Sequence, residues 1–444
     1  MADWLIRNAE LVNQGRRFHA DLRVRGDRIA EIGGELVAHA GEQVFDAAGL
    51  WLLPGMIDDH VHFREPGYTA KADIASESRA AVAGGVTSFF EMPNTRPATL
   101  THALLEDKYA IASRTSLANY AFYFGASNDN LDAIRTLDPR QVPGVKVFLC
   151  ESTGNLCVSD PAMLEGVFRD SPVNVLVHAE DSHVIHANLD AARAKYGDAI
   201  PMRLHPDIRS REACFKSTQW AVETARRHGT RLHVLHVSTA DELALFTPGP
   251  IAGKRITAET CVHFLRYSDA DYARLGGRIK CNPAIKAASD RTALTQALAD
   301  TRLDILATDH APHLASEKAN PYVRCPSGIP LVQFALQSAL ECVVRGDFTL
   351  ERLVEACAHA PATLFAVKDR GYLREGWFAD LVLVDPHKPQ TVRRDQVLSK
   401  CGWSPFEGDT FHTRIAATFV NGNLVARDGN LLDAPKGMRL AFDR

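Results

Sequence analysis

The sequence lacks any run of about 18 apolar residues, the length a helix needs to cross a bilayer, so no membrane partner is expected. It also lacks an excess of positive charge. Fifty Lys and Arg stand against 54 Asp and Glu, for a net charge of −4, which argues against nucleic acid or an anionic lipid surface. The opening segment MADWLIRNAELVNQGRR has no basic stretch followed by an apolar one, so no secretory signal is expected. No CxxC pair occurs among nine singly scattered cysteines, and their number is odd. That excludes a disulfide framework or a thiolate zinc site and fits a reducing cytoplasm. Histidine, carboxylate and lysine remain as the candidate chemistry.

What is present is ordinary globular composition, 46% hydrophobic and 23% charged over 444 residues. The length suits one large α/β barrel with an added domain, or two to three ordinary domains. The two ends read alike. LIRNAELV, ADLRVRGDRIAEIG and QVFDAAGLWLL near the start, and GWFADLVLVD and RIAATFVNGNLVARDG near the end, alternate apolar and polar residues between turn signals. Asn421-Gly422 is a two-residue hairpin signal. Residues 1–53 and 370–444 are therefore expected to combine into one small β-domain, a β-sandwich.

The middle, residues 54–369, has another rhythm. Eight short apolar runs alternate with helical stretches such as SESRAAVAGG, REACFKSTQWAVETARRHG and SDRTALTQALAD. The runs are GMIDDHVHF (55–63), VTSFFEM (86–92), NYAFYFGAS (119–127), GVKVFLC (144–150), VNVLVHA (173–179), RLHVLHVS (231–238), RITAET (255–260) and LDILATD (303–309). Runs apolar on both faces and separated by helices read as parallel strands, and eight of them close a (β/α)8 TIM-like barrel.

In such a barrel the chemistry sits at the C-terminal strand ends. Run one ends in His60 and His62, run four carries Lys146, run five ends in His178, run six in His236 and run eight in Asp309. His60 and His62 are two apart and share a strand face. His233 and His236 are three apart, so at most one is expected to look inward, and His236 lies nearer the strand end. Four imidazoles and a carboxylate exceed what one catalytic zinc uses, which points to two divalent ions and an anion bridging them. An ammonium has no lone pair to offer. Carbamylated by carbon dioxide, Lys146 would become an anion with two oxygens, one for each ion.

At DHVHFREPG (59–67) the chain resembles the cyclic amidohydrolases and, within them, the dihydroorotases. Matching segments run through nearly the whole chain: LPGMIDDHVHFREPG, AGGVTSFFEMPNT, KVFLCESTGN, VLVHAED, LHVLHVS, CNPAIK, ATDHAPH and GWFADLVLVD. The resemblance implies that His60, His62 and Asp309 hold one metal, zinc by expectation, and His178 and His236 the second. Carbamylated Lys146 and a hydroxide would bridge them. KVFLCESTGN is similar to the lysine-bridged subgroup, which is also the hydantoinase pattern. The resemblance further implies that Asp309 shuttles the proton, and that the substrate is dihydroorotate, interconverted with N-carbamoyl-aspartate in pyrimidine biosynthesis. Arg64, Asn94, Asn282 and His313 would bind it, and the enzyme would be a cytoplasmic homo-oligomer.

Arg64 separates the alternatives, because its guanidinium can grip a ring carboxylate bidentately. Hydantoinases, dihydropyrimidinases and allantoinases are similar but act on rings without that carboxylate and usually lack this arginine. A non-catalytic dihydroorotase-like subunit should have lost metal ligands, and here all six positions are filled. His263 in TCVHFL matches the second histidine of a family pair whose first is Val262. GIPLVQ (328–333) departs from the family's commoner glycine-rich substrate loop.

Overall fold

A computed structural model describes residues 3–150 and 156–444; the stretch 151–155 of the KVFLCESTGN segment lies outside the described residues. The eight apolar runs all fall on strands. They are β1 (Met56–Val61), β2 (Val86–Glu91), β3 (Asn119–Phe122, continued by Phe124–Gly125), β4 (Gly144–Phe148), β5 (Asn174–His178), β6 (Leu232–Val234), β7 (Ile256–Cys261) and β8 (Ile305–Ala307). Neighbours pair in parallel from β1 through β8. The ring closes where Val61 bridges His310 and the His62 N–H donates to the His310 carbonyl at 2.7 Å. The fold is the TIM-like barrel of the α/β class.

Nearly every strand residue is buried because both faces are covered, which is why the runs are apolar without alternation. The three expected helices appear as Ile74–Ala83, Arg211–His228 and Ala288–Ala299. The longest shows local signals agreeing with one another. Ser210 caps its start by accepting from the Ala213 N–H. Arg226, Arg227 and His228 occupy its last turn, and Gly229 ends it at φ 66°.

The two chain ends form the β-sandwich domain. A nine-stranded sheet takes five strands from the first 54 residues and four from Leu381–Asp385 onward. They meet where Trp51–Pro54 pairs antiparallel with Leu381–Asp385. Ile6, Leu22, Leu52, Leu381 and Phe419 share its separate core. Asn421 and Gly422 make the hairpin turn with both φ values positive, 49° and 73°. A Cβ on Gly422 would lie 2.1 Å from the Gly26 carbonyl oxygen, so this turn packs on the Gly26-Asp27 turn of the N-terminal half.

The chain then returns to the barrel. The Leu440 N–H donates to the Tyr120 carbonyl, and Leu440 and Phe442 join Ile57, Phe90, Tyr123, Leu176 and Phe365 in an apolar floor. Phe365 packs edge-on against Phe90 at 5.0 Å between ring centroids and lies 6.1 Å from the ring of His233 above it. Fully buried aromatic rings in such a layer leave cavities when truncated. Phe365→Ala is therefore expected to cost about 3–5 kcal/mol, read as a lower denaturant midpoint.

Candidate active site

The first and last strands build one half of the site. Two hydrogen bonds pin the end of β8 to β1: Thr308 donates its N–H to Asp58 Oδ1 at 3.1 Å and its hydroxyl to Asp58 Oδ2 at 2.6 Å. The backbone turns left-handed at Asp309 (φ 49°), and its Oδ1 lies 3.2 Å from His60 Nε2 and 3.1 Å from His62 Nε2. The far nitrogen of each imidazole is held from behind. His60 Nδ1 donates to Glu259 Oε1 at 2.6 Å and His62 Nδ1 to Asn94 Oδ1 at 2.8 Å. Both Nε2 atoms are thereby turned toward Asp309.

The other half lies beside it. His178 ends β5, and its Nδ1 stands 2.9 Å from His236 Nε2. His178 Nε2 donates to Glu180 at 2.8 Å, and Glu180 is ion-paired with Arg209. The rings of His60 and His236 are 5.2 Å apart, so the halves adjoin. Lys146 on β4 is buried, its ammonium nitrogen 4.6 Å from the Phe148 ring centroid.

The expectation that at most one of His233 and His236 looks inward is overturned. β6 ends at Val234, and His236 adopts φ 41°, which breaks the strand's alternation. Both imidazoles reach the interior. His236 meets His178 at the rim, while His233, deeper down, contacts Thr257 at 2.8 Å and Glu259 at 3.2 Å.

All ten residues singled out from the sequence border one cavity of about 330 Å³. The wall facing the histidines is cationic. Lys71 donates to His313 Nδ1 at 3.0 Å, so Nε2 carries the ring hydrogen and gives it to the Ser327 carbonyl at 3.0 Å. His313 cannot then also accept from Arg64, whose Nη2 lies 3.0 Å from that same Nε2. Arg64 is 5% exposed, keeps only the Pro312 carbonyl as acceptor at 3.1 Å, and has no carboxylate partner among the described residues. Asn282 borders the cavity with its Oδ1 buried and unpartnered. The GIPLVQ segment contributes Gly328 to the lining. His263 lies just past the end of β7 in a short helix, Val262–Arg266, is buried and does not line the cavity.

Sequence reasoning missed Glu259, Glu180, Arg209 and Lys71. Glu259 and Glu180 stood in quoted segments, RITAET and VHAED, but a single strand-end glutamate carries no spacing signal. Three groups of donors lie within 4.8 Å of one another and could each hold a cation: His60, His62 and Asp309; Cys150, His178 and Glu180; and Asp59, His233 and Glu259.

Burial dominates the electrostatics. It lowers His62 to about 4 and Arg64 to about 10. Burial would raise the Asp309 carboxyl, but His60 and His62 outweigh it and hold Asp309 well below the usual carboxylate range. Burial would lower His178, but Cys150 and then Glu180 overcome it and bring His178 to about 9. Lys146 is pushed down from 10.5 to about 7, with Asp309 and Glu259 opposing only in part. The folded state thus holds fewer protons at Lys146 than the unfolded chain between those two values, and the resulting destabilisation grows as pH falls through that window. In metal-stripped protein, Lys146→Met is expected to be more stable than wild type at pH 7 and below. The advantage should shrink to nothing toward pH 10.5, followed by denaturant titration across pH.

Comparison with known proteins agrees with this geometry. The family model described as the amidohydrolase family matches residues 51–425. A dihydroorotase of Halobacterium salinarum is 36% identical over 443 residues, 98% of each chain. An allantoinase of Bacillus velezensis is 33% identical over 433 residues, 96% of this chain and 94% of its own. Among solved structures, the L-hydantoinase of Arthrobacter aurescens superposes with a TM-score of 0.94 at 26% identity, covering 99% of this chain and 100% of that one.

Proposed function

The chain belongs to the amidohydrolase family, and from that premise we propose that it is a dihydroorotase of the lysine-bridged subgroup. It would hydrolyse the cyclic amide of dihydroorotate to N-carbamoyl-aspartate, reversibly. One observation carries the choice of substrate: Arg64 is a buried guanidinium facing the cavity with no carboxylate in hydrogen-bonding contact among the described residues. An unpaired buried charge is costly, and a substrate carboxylate would relieve it. Neutral hydantoins, dihydropyrimidines and allantoin offer no such group. Hydrolysis of such a ring is the second reading, favoured by the allantoinase relative and the hydantoinase neighbour.

The donor set fits two divalent cations, zinc in our reading. His60, His62 and Asp309 would hold one, and His178 and His236 the other. Four imidazole nitrogens face inward while oxygen partners hold the opposite nitrogens of three of the rings, the arrangement that fixes ligand tautomers. Lys146 would be shared between the cations as a carbamate. Its depressed pKa supports this, since the neutral amine is the form whose lone pair adds to carbon dioxide. When bound, the cations would polarise the scissile ring carbonyl and make a water acidic enough to lose a proton near neutral pH.

The side chains do the rest. Arg64 and the Nδ2 of Asn94, whose Oδ1 is taken by His62, would bind the ring carboxylate, and His313, its one N–H held by Ser327, would only line the wall beside them. The free Oδ1 of Asn282 would accept from a ring N–H. Asp309, ionised at neutral pH, takes the proton of the attacking water and passes it to the ring nitrogen as the amide C–N bond breaks. Positioning by these groups converts the encounter into a reaction within one complex.

Assayed on dihydroorotate, hydantoin and allantoin, the wild type should turn over dihydroorotate best. Arg64→Met should raise KM for dihydroorotate by about 10–100-fold, the worth of a lost charge-assisted contact, and leave KM for hydantoin nearly unchanged. Equal effects on both would remove the carboxylate role. Asp309→Ala should lower kcat by about 10²–10⁴-fold. Near-normal turnover would require a different proton carrier.

A further inference from the structure

We propose that Glu259 is a positioning residue that locks both histidine pairs into one frame and acts as the anionic counterpart of the cation in front of His60. This rests on the metal-binding reading of His60 given above.

Glu259 lies on β7, fully buried, and its carboxylate reaches His60 at the end of β1 and His236 just beyond β6. Its carboxylate accepts from three donors. Oε1 takes the Nδ1–H of His60 at 2.6 Å and the backbone N–H of His236 at 3.1 Å, and Oε2 takes the Nε2–H of His233 at 3.2 Å. One oxygen therefore touches a member of each pair. The bond to His60 holds the ring from behind and keeps its Nε2 turned toward Asp309, free to serve as the ligand atom once a cation stands between them. The bond to the His236 backbone secures a residue held at φ 41°, a conformation that costs a non-glycine residue about 1–3 kcal/mol unless its surroundings impose it. Losing this carboxylate would release both pairs together.

Charge points the same way. The back nitrogen of His62 faces the neutral amide of Asn94, and that of His178 faces Glu180, whose charge Arg209 already balances. Glu259 has no lysine or arginine partner among the described residues, only His60 and His233. Its neighbours Asp58 and Asp59 are acids as well. In the free protein only the two imidazoles and, without contact, Lys146 offset its charge, and a cation held beyond His60 at Nε2 would add to that balance. A carboxylate behind an imidazole also makes that imidazole a stronger donor to a cation.

A purely structural alternative is that Glu259 only satisfies His233 and holds strands together. Glu259→Gln separates the two, because the amide keeps the shape and its oxygen still accepts from His60 and His236, while the charge is gone. Glu259→Asp keeps the charge but shortens the reach. The measurement is zinc retained by purified holoenzyme and its rate of loss to a chelator, beside the melting temperature of the stripped protein. Glu259→Gln should lose zinc about 10–100-fold faster than wild type while its stripped form melts within a few degrees of wild-type stripped protein. Glu259→Asp should recover part of the retention. Zinc loss from Glu259→Gln at the wild-type rate would overturn the proposal, as would a loss fully accounted for by a stripped form that melts far lower. A wild type that binds no divalent metal, with His60→Ala unchanged in metal content, would instead overturn the reading of the site itself.

Discussion

The closure of the barrel between its first and last strands is the constraint on which the rest depends. His60 and Asp309 are some 250 residues apart in sequence, and nothing local brings them together. The Thr308–Asp58 hydrogen bonds and the His62 to His310 backbone bond do so, setting both Nε2 atoms of the first pair just over 3 Å from one carboxylate oxygen. Because the bonds run between backbone or buried side chains, the geometry is set by the sheet rather than by mobile loops. Chemistry placed on strand ends inherits the rigidity of the barrel, and that is the sense in which fold becomes function here.

The cavity that results is divided by charge. On one side stand four imidazoles, Asp309 and, beneath them, the acids Asp58, Asp59 and Glu259. Burial raises Asp58 to about 7 and, reinforced by Glu259 and Asp58, lifts Asp59 well above its ordinary range. Much of the acidic layer is thus disposed to stay protonated, and the negative charge is concentrated where Glu259 and Asp309 flank the histidines. On the other side stands Arg64, with Lys71 behind His313 and paired with Glu317. A ligand with an electrophilic ring carbonyl at one end and an anion at the other matches this division.

Much of this was legible in the sequence because two periodicities are strict. Eight apolar runs separated by helical spacing are the number that closes a barrel, and Asn421-Gly422 is a two-residue turn signal. H-x-H on a strand put His60 and His62 on one face. The same rule misled at LHVLHV, since it assumes the strand persists. β6 stops at Val234, and the left-handed His236 returns the second imidazole to the interior. Partner atoms were not legible at all. That Glu259 backs His60, that Glu180 is balanced by Arg209, or that Lys71 sets the tautomer of His313 follows from strand register across the barrel. Register between segments 200 residues apart leaves no trace in local pattern.

The backbone alone does not choose the substrate. An L-hydantoinase shares this fold almost completely at 26% identity, while relatives near one-third identical include both a dihydroorotase and an allantoinase. Discrimination must therefore lie in a few rim side chains. Arg64 is the one that lacks a carboxylate in contact among the described residues, since Lys71 beside it is already paired with Glu317 at 2.9 Å. Burial, then Arg64, then Lys71 force the imidazole of His313 to stay neutral, with its value well below the ordinary one. It then sits as a spacer between two like charges, and one of those, the guanidinium, is buried with a single hydrogen-bond acceptor. Burying a guanidinium with so few direct partners lowers the stability of the free protein. A substrate carboxylate entering the cavity would give that guanidinium a direct partner, and this is the physical basis of the proposed preference for an acid over a neutral ring.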